Sequence, residues 1–145
     1  MHNNAVTASV LIIGNEILSG RTQDINLQHI ALQLGEWGVQ VREARVVPDI
    51  EDTIVDQLNA LRQQYDYVFT TGGIGPTHDD ITAECVAKAF AVPLVTNPEI
   101  ARMIESRPAP PEVMASRMRM ARVPEGAILV DNTIGGPPGF SIGNV

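Results

Sequence analysis

Three glycines within four positions, set between a β-branched run and a helical repeat, constrain this chain more than any other feature. The stretch is Thr70-Thr71-Gly72-Gly73-Ile74-Gly75-Pro76-Thr77-His78-Asp79-Asp80-Ile81-Thr82. Before it, Tyr65-Asp66-Tyr67-Val68-Phe69 suits a buried strand; after it, Ile81, Cys85 and Ala89, with Val86 and Phe90, recur at helical spacing. The order is therefore strand, tight loop, helix. Glycines let the backbone turn with positive φ and approach a ligand closely, and a new helix offers unpaired N–H groups with a partial positive charge. Such a loop is suited to an anion. The same features also serve packing alone, with Thr77 or Asp79 as helix cap and Asp80 or Glu84 in the first turn.

The string resembles the molybdopterin-binding (MoaB/Mog) domain family, and within it the N-terminal domain of the competence/damage-inducible CinA proteins, which carry a near-identical T-T-G-G-x-G-P-T-x-D-D-[IV]-T run. A second motif extends the resemblance. Ala8-Ser9-Val10-Leu11-Ile12-Ile13 reads as a central parallel strand covered on both faces. It is followed by Gly14-Asn15-Glu16-Ile17-Leu18-Ser19-Gly20-Arg21, a loop similar to the family's G-[DN]-E-[IL]-L-x-G. Without the resemblance, Asn15 and Glu16 are equally well read as turn caps.

Further along, Asp24 is placed to cap a helix that buries Leu27, Ile30, Ala31, Leu34 and Trp37 and stops at Gly38. Val39 to Val47 forms a second strand with weak alternation, ended by Pro48-Asp49, and Ile50, Ile54, Leu58 and Leu61 mark the next helix. Asp49 suits a helix cap. It also matches the V-P-D element of Mog-type proteins, where the resemblance implies an aspartate facing the active site together with the one matching Asp80.

In the second half, Val92-Pro93-Leu94-Val95 suits a short edge strand, since proline cannot donate to a central ladder. Asn97-Pro98-Glu99 is a helix start: cap, proline at the first position, then acid. Arg107 to Pro111 is stiff but too short to divide domains. Pro111-Glu112 opens another helix whose methionines suit core filling; Arg117, Arg119 and Arg122 point several ways around it, and one of them can reach a phosphate. A strand at Ala127-Ile128-Leu129-Val130 leads into Asp131-Asn132-Thr133-Ile134-Gly135-Gly136-Pro137-Pro138-Gly139-Phe140, which resembles the family's N-x-x-G-x-A-P-G segment with Pro137 in place of alanine. The resemblance implies that Asn132, Gly135 and Gly139 approach a nucleotide or pterin; a glycine-proline hairpin turn is the alternative. Family members continue past the Phe140–Val145 strand into an L-P-G-x-P-x-E-M segment, which this chain is expected to lack.

Composition narrows the function classes. A chain of 145 residues suits a single domain, 1–145, that buries roughly two thirds of its unfolded surface. A net charge of −7 argues against nucleic-acid binding, which needs a basic surface to displace counterions. No apolar run approaches the ~20 residues needed to span a bilayer, and the start lacks a signal-peptide pattern. Cys85 alone excludes an internal disulfide and suits a reducing compartment, so the expected location is cytoplasmic.

Alternating strands and helices predict an α/β fold: a mainly parallel sheet with helices on both faces, which the resemblance implies is the three-layer, Rossmann-like MoaB/Mog domain. In such sheets ligands bind beyond the carboxyl ends of strands. The expected crevice is lined by Gly14, Asn15, Glu16 and Gly20 on one side and Thr71, Gly72, Gly73, Gly75, Pro76, Thr77 and Asp80 on the other, with Asp49 and Asn132–Gly139 at its rim. Two like charges ~4 Å apart repel by about 4 kcal/mol at an effective dielectric near 20. Asp49, Asp80 and Glu16 would therefore reject a diphosphate unless a cation intervened. Hard oxygen ligands favour Mg²⁺ or Mn²⁺; His78 could admit Co²⁺ or Zn²⁺. Asp80 or Asp49 is the candidate base.

The CinA resemblance implies metal-dependent hydrolysis of nucleoside diphosphate sugars such as ADP-ribose. The alternatives are a molybdopterin adenylyltransferase of the Mog type, and a module that binds molybdopterin or a nucleotide without turnover. Thr77-His78-Asp79-Asp80 follows the CinA form, since Mog-type proteins commonly have arginine just before the aspartate matching Asp80. Relatives further imply a homo-oligomer, trimeric in the Mog branch and dimeric in the CinA branch.

Overall fold

The computed structural model describes residues 4–145. They form two compact units, one holding the described residues up to Gly72 together with Asn144–Val145, the other Gly73–Gly143.

The first unit is built on a parallel sheet in the order β2-β1-β3, from β1 (Val6–Ile13), β2 (Val39–Val47) and β3 (Tyr67–Thr71). β1 is flanked on both sides, and Ala8 to Ile13 are buried without alternation, as a central strand requires. β2 is the outer strand of this sheet and alternates strictly between half-buried and exposed positions, more cleanly than its sequence predicts. A register shift opposite Ala8/Ser9 leaves Arg42 as the extra residue.

α2 (Asn26–Glu36) packs on β2, and α3 (Glu51–Gln64) packs on β1 and β3 through Ile54, Leu58 and Leu61, all fully buried. Because β1 lies between its two successors, right-handed crossovers put these helices on opposite faces of the sheet. Asp24 accepts from the amides of Asn26 and Leu27, and Gly38 at φ +79° ends α2, as expected. The predicted burial of α2 is only partly met: Leu34 is buried, but Trp37 is 70% exposed. The Gly14–Arg21 stretch also differs from the loop expected, because Asn15–Leu18 closes one helical turn, α1. Asp49 does not cap α3, which begins after Ile50 without a side-chain cap.

The second unit runs α4 (Thr82–Ala89), β4 (Leu94–Thr96), α5 (Pro98–Glu105), α6 (Pro111–Met118), a 3₁₀ turn at Arg119–Ala121, β5 (Arg122–Pro124), β6 (Ile128–Val130) and β7 (Gly139–Ser141). β4 pairs antiparallel with β5, a strand its sequence does not announce, and β6 pairs antiparallel with β7. Among the described residues, parallel pairing is thus confined to the first unit. Asn97 accepts from the amides of Glu99 and Ile100, so the predicted cap forms. Ile100, Ile104, Ala121 and Val123 form a core against which Met114, Met118 and Met120 pack, so these methionines fill space as expected. Cys85 is fully buried. The strand predicted over Phe140–Val145 is shorter, since β7 ends at Ser141 and Asn144 turns back to accept from the Val68 amide with its carbonyl. No helix among the described residues is long and apolar enough to cross a membrane.

Candidate functional site

In the first unit the carboxyl ends of the three strands stand side by side, with Ile13 opposite Val47 and Ile12 opposite Thr71. This register gathers the predicted residues Gly14, Asn15, Glu16, Asp49, Thr71 and Gly72 at one edge of the sheet. Two loops are tied directly: the Asn15 amide donates to Asp49 Oδ2 at 3.1 Å, and the Asp49 amide donates to Asn15 Oδ1 at 3.2 Å. The Glu16 carboxylate folds back over Gly14, where an added Cβ would lie 2.8 Å from Oε2. Gly72, at φ +88°, lies where a Cβ would run into the Ile13 carbonyl oxygen. Its glycine is thus required by packing against β1 as well as by its φ. Gly20 is exposed at φ +79°, in open space.

In the second unit the loop from Gly73 to Asp80 closes on itself. Asp80 Oδ2 accepts from the Thr77 amide at 2.9 Å and from the Thr77 hydroxyl at 2.8 Å. The same oxygen would lie 2.8 Å from a Cβ on Gly75, so the carboxylate occupies the space that glycine leaves. Gly73, at φ +66°, leaves room for the Thr82 hydroxyl, and its carbonyl accepts from the Thr82 amide at 3.2 Å. One of the first amides of α4 is thereby used inside the protein, so the helix start is less open to an anion than its sequence implies. The amides of Gly73, Ile74 and Gly75 donate to no acceptor among the described residues. Neither Thr77 nor Asp79 caps α4, which follows Ile81 without a side-chain cap. Pro76 lies half-buried within this loop. His78 projects into solvent and stands 3.6 Å from Asp79.

Arg119 gains a specific place that sequence reasoning does not provide. Its Nε donates to the Thr77 carbonyl at 3.3 Å, and its Nη2 stands 3.6 Å from Glu84 Oε1, which also receives Arg122 Nη2 at 2.8 Å. Glu84 thus ties a loop-holding arginine to α4 rather than simply favouring the helix start. No local signal in the sequence joins residues 42 positions apart. The second glycine loop forms a hairpin turn: Asp131–Pro138 connects β6 to β7, Asn132 Nδ2 donates to the Pro137 carbonyl at 3.2 Å, and Asn132 Oδ1 accepts from the Ile134 amide. Gly135 is exposed at φ +92°, and Gly139 opens β7.

Among the described residues no three His, Cys, Asp or Glu side chains form a group able to hold a metal ion. Asp49 and Asp80 share a different property. Each is engaged by protein donors through Oδ2 alone, so Oδ1 accepts no hydrogen bond among the described residues. Each of these carboxylates, within its own unit, therefore keeps one oxygen open to a cation such as Mg²⁺, which is typically held by one or two carboxylates with water and substrate phosphates completing the shell.

Comparison with known proteins gives a consistent picture. Residues 9–142 match the family model described as "Probable molybdopterin binding domain". A CinA-like protein of Syntrophotalea carbinolica is 34% identical over 140 residues, covering 95% of this chain and 34% of that protein. The crystal structure of the protein CinA, of unknown function, from Thermoplasma acidophilum is 35% identical with a TM-score of 0.83, covering 95% of this chain and 82% of that one. The molybdopterin biosynthesis Mog protein of Mycobacterium ulcerans is 29% identical with a TM-score of 0.52, covering 78% and 74% of the two chains. The chain spans about half the length of the archaeal relatives it matches.

Proposed function

The chain belongs to the molybdopterin-binding domain family, in company with CinA-like proteins, and from that premise we propose that it is a divalent-metal-dependent pyrophosphatase acting on ADP-ribose or a similar nucleoside diphosphate compound. The observation that carries this reading is the Gly73–Asp80 loop, where three successive amides without an acceptor among the described residues accompany a carboxylate with one oxygen left over. Unpaired amides favour a phosphate, whereas the carboxylate opposes one by several kcal/mol at contact. Both features are useful together only when a cation accompanies the phosphate.

In this proposal the amides of Gly73, Ile74 and Gly75 orient a phosphate, and Thr77 fixes the Asp80 carboxylate. Asp80 is the candidate ligand of Mg²⁺ or Mn²⁺ in this loop, and Asp49 and Glu16 are the candidates in the first unit; Asp80 or Asp49 accepts a proton from the attacking water. A bound divalent ion would offset phosphate charge and acidify that water. His78 is assigned no ligand role because it stands in solvent.

The test is release of AMP from ADP-ribose and FAD with Mg²⁺, Mn²⁺ or Co²⁺, run beside Asp80→Asn and Asp49→Asn. Metal-dependent release that disappears in both variants, with folding retained, supports the hydrolase. Unchanged release in either variant removes that residue from the proposal. The Mycobacterium ulcerans relative supports a second reading, transfer of AMP from ATP to molybdopterin, and detection of that product with inert ADP-ribose would replace the first. Nucleotide binding without any turnover would favour a binding module.

A further inference from the structure

The second unit contains a cavity of about 360 Å³ that lies apart from the Gly73–Asp80 loop. Its lining comes from the end of α5 (Met103, Ile104), the Ser106-Arg107 turn, Arg117 and Met120, and the Gly136-Pro137 tip of the β6–β7 hairpin. It is open to solvent, with Arg107 and Gly136 exposed at its mouth, and small-molecule clefts begin at about 300 Å³. The volume therefore suits a small ligand.

The chemistry of the lining is two-sided. Met103, Ile104, Met120 and Pro137 give an apolar surface, and Asn132 holds the Pro137 carbonyl in place. Ser106 spends its hydroxyl on the Met103 carbonyl at 2.6 Å. The two remaining polar side chains are guanidinium groups. Arg117 Nη1 donates to the Arg107 carbonyl at 3.4 Å, and neither arginine meets a carboxylate among the described residues. Arg45, Arg119 and Arg122 each do. No Asp or Glu lines the cavity, although the chain as a whole carries a net charge of −7.

The geometry points to a second ligand site, for a small amphiphilic anion: an aromatic or acyl body seated on the methionines and Pro137, with one carboxylate or phosphate head held by Arg107 and Arg117. Guanidinium forks match the planar geometry of such oxyanions, and methionines adapt to irregular apolar bodies. This site does not depend on the pyrophosphatase reading, because it uses none of the residues to which that reading assigns the metal, the phosphate or the proton: Glu16, Asp49, Gly73, Ile74, Gly75, Thr77 and Asp80.

The probe is 8-anilinonaphthalene-1-sulfonate, titrated into the 145-residue chain by fluorescence, beside its uncharged relative N-phenyl-1-naphthylamine. The expected result is a single saturating site for the sulfonate, weakened at least tenfold in the Arg107→Gln/Arg117→Gln double variant, while the thermal midpoint is unchanged and the neutral compound shifts less than twofold. Ser106→Trp, which fills the cavity and leaves both arginines, is expected to abolish binding. Displacement by octanoate identifies an acyl carboxylate and displacement by phenyl phosphate an aryl phosphate. The site is overturned by absent saturation, by sulfonate binding within twofold of the wild type in the double variant, by displacement with neither competitor, or by inorganic phosphate competing as well as either.

Discussion

Asn15 and Asp49 exchange hydrogen bonds, each main-chain amide donating to the other's side chain at 3.1 and 3.2 Å. The pair joins the end of β1 to the end of β2 and leaves Asp49 Oδ1 without a protein donor among the described residues. One side chain thereby serves both architecture and a prospective ligand. The two roles are separable by substitution. Asp49→Ala is expected to cost about 1 kcal/mol in urea denaturation, the usual worth of one such hydrogen bond, because the bond to Asn15 Oδ1 survives. Asp49→Asn, which keeps an acceptor, should cost less than about 0.5 kcal/mol on the same scale. Any metal-dependent turnover should fall in both.

Gly72 and Gly126 share a positive φ, at +88° and +86°, but only Gly72 is crowded by the Ile13 carbonyl. Gly126→Ala should cost about 1 kcal/mol, the conformational term alone. Gly72→Ala must also displace backbone, and is expected to lower stability by more than about 3 kcal/mol or to prevent soluble expression. Comparable losses for the two variants in chemical denaturation would refute the crowding argument.

Asn97 accepts two amides at the start of α5, which supplies Ile100 and Ile104 to the core of the second unit. Asn97→Ala should lose about 1 kcal/mol, and Asn97→Ser or Asn97→Asp much less, because both retain a capping oxygen. Thermal melts of the three variants measure this directly.

Glu43 and Arg45, on the half-buried side of β2, form a network with Tyr65 and Gln57. Hydrogen bonds from Arg45 and then Tyr65 hold the Glu43 carboxyl below the usual carboxylate range, and the bond to Glu43 raises the Tyr65 phenol. The Glu43 contribution is therefore present above the unfolded carboxylate pKa and lost as pH falls through the depressed folded value. That of Tyr65 is present below the ordinary phenol pKa and lost as pH rises through the raised one. In melts across pH, Glu43→Gln should flatten the acid limb and Tyr65→Phe the alkaline limb. If the two variants parallel the wild type at both extremes, the network does not set the pH dependence.

Asp80 accepts both the amide and the hydroxyl of Thr77, and Arg119 holds the Thr77 carbonyl from the other side. Thr77→Ala should leave the amide bond and reduce stability by about 1 kcal/mol. Thr77→Ser should restore it. Under the pyrophosphatase proposal, alanine also lowers turnover by releasing the carboxylate, and serine restores that too; turnover insensitive to both would show that the hydroxyl does not position Asp80.

The residue order by itself determined whatever depends on near neighbours. The unbroken apolar run of β1, the Asn97-Pro98 helix start, the stop at Gly38 and the closed Gly72–Asp80 loop are all local, because steric limits on φ and hydrogen bonds spanning a few residues act within a turn or two of chain. The family motifs lie in those same segments. Tertiary structure alone decided the partners of polar side chains that meet residues distant in sequence. Asp49 met Asn15 instead of capping α3, and Glu84 met Arg119 and Arg122. It also left Trp37 in solvent and paired β4 with β5. A carboxylate can satisfy any donor within reach, and which donors come within reach follows from how strands and helices pack, a property of the folded chain that no short window of residues carries.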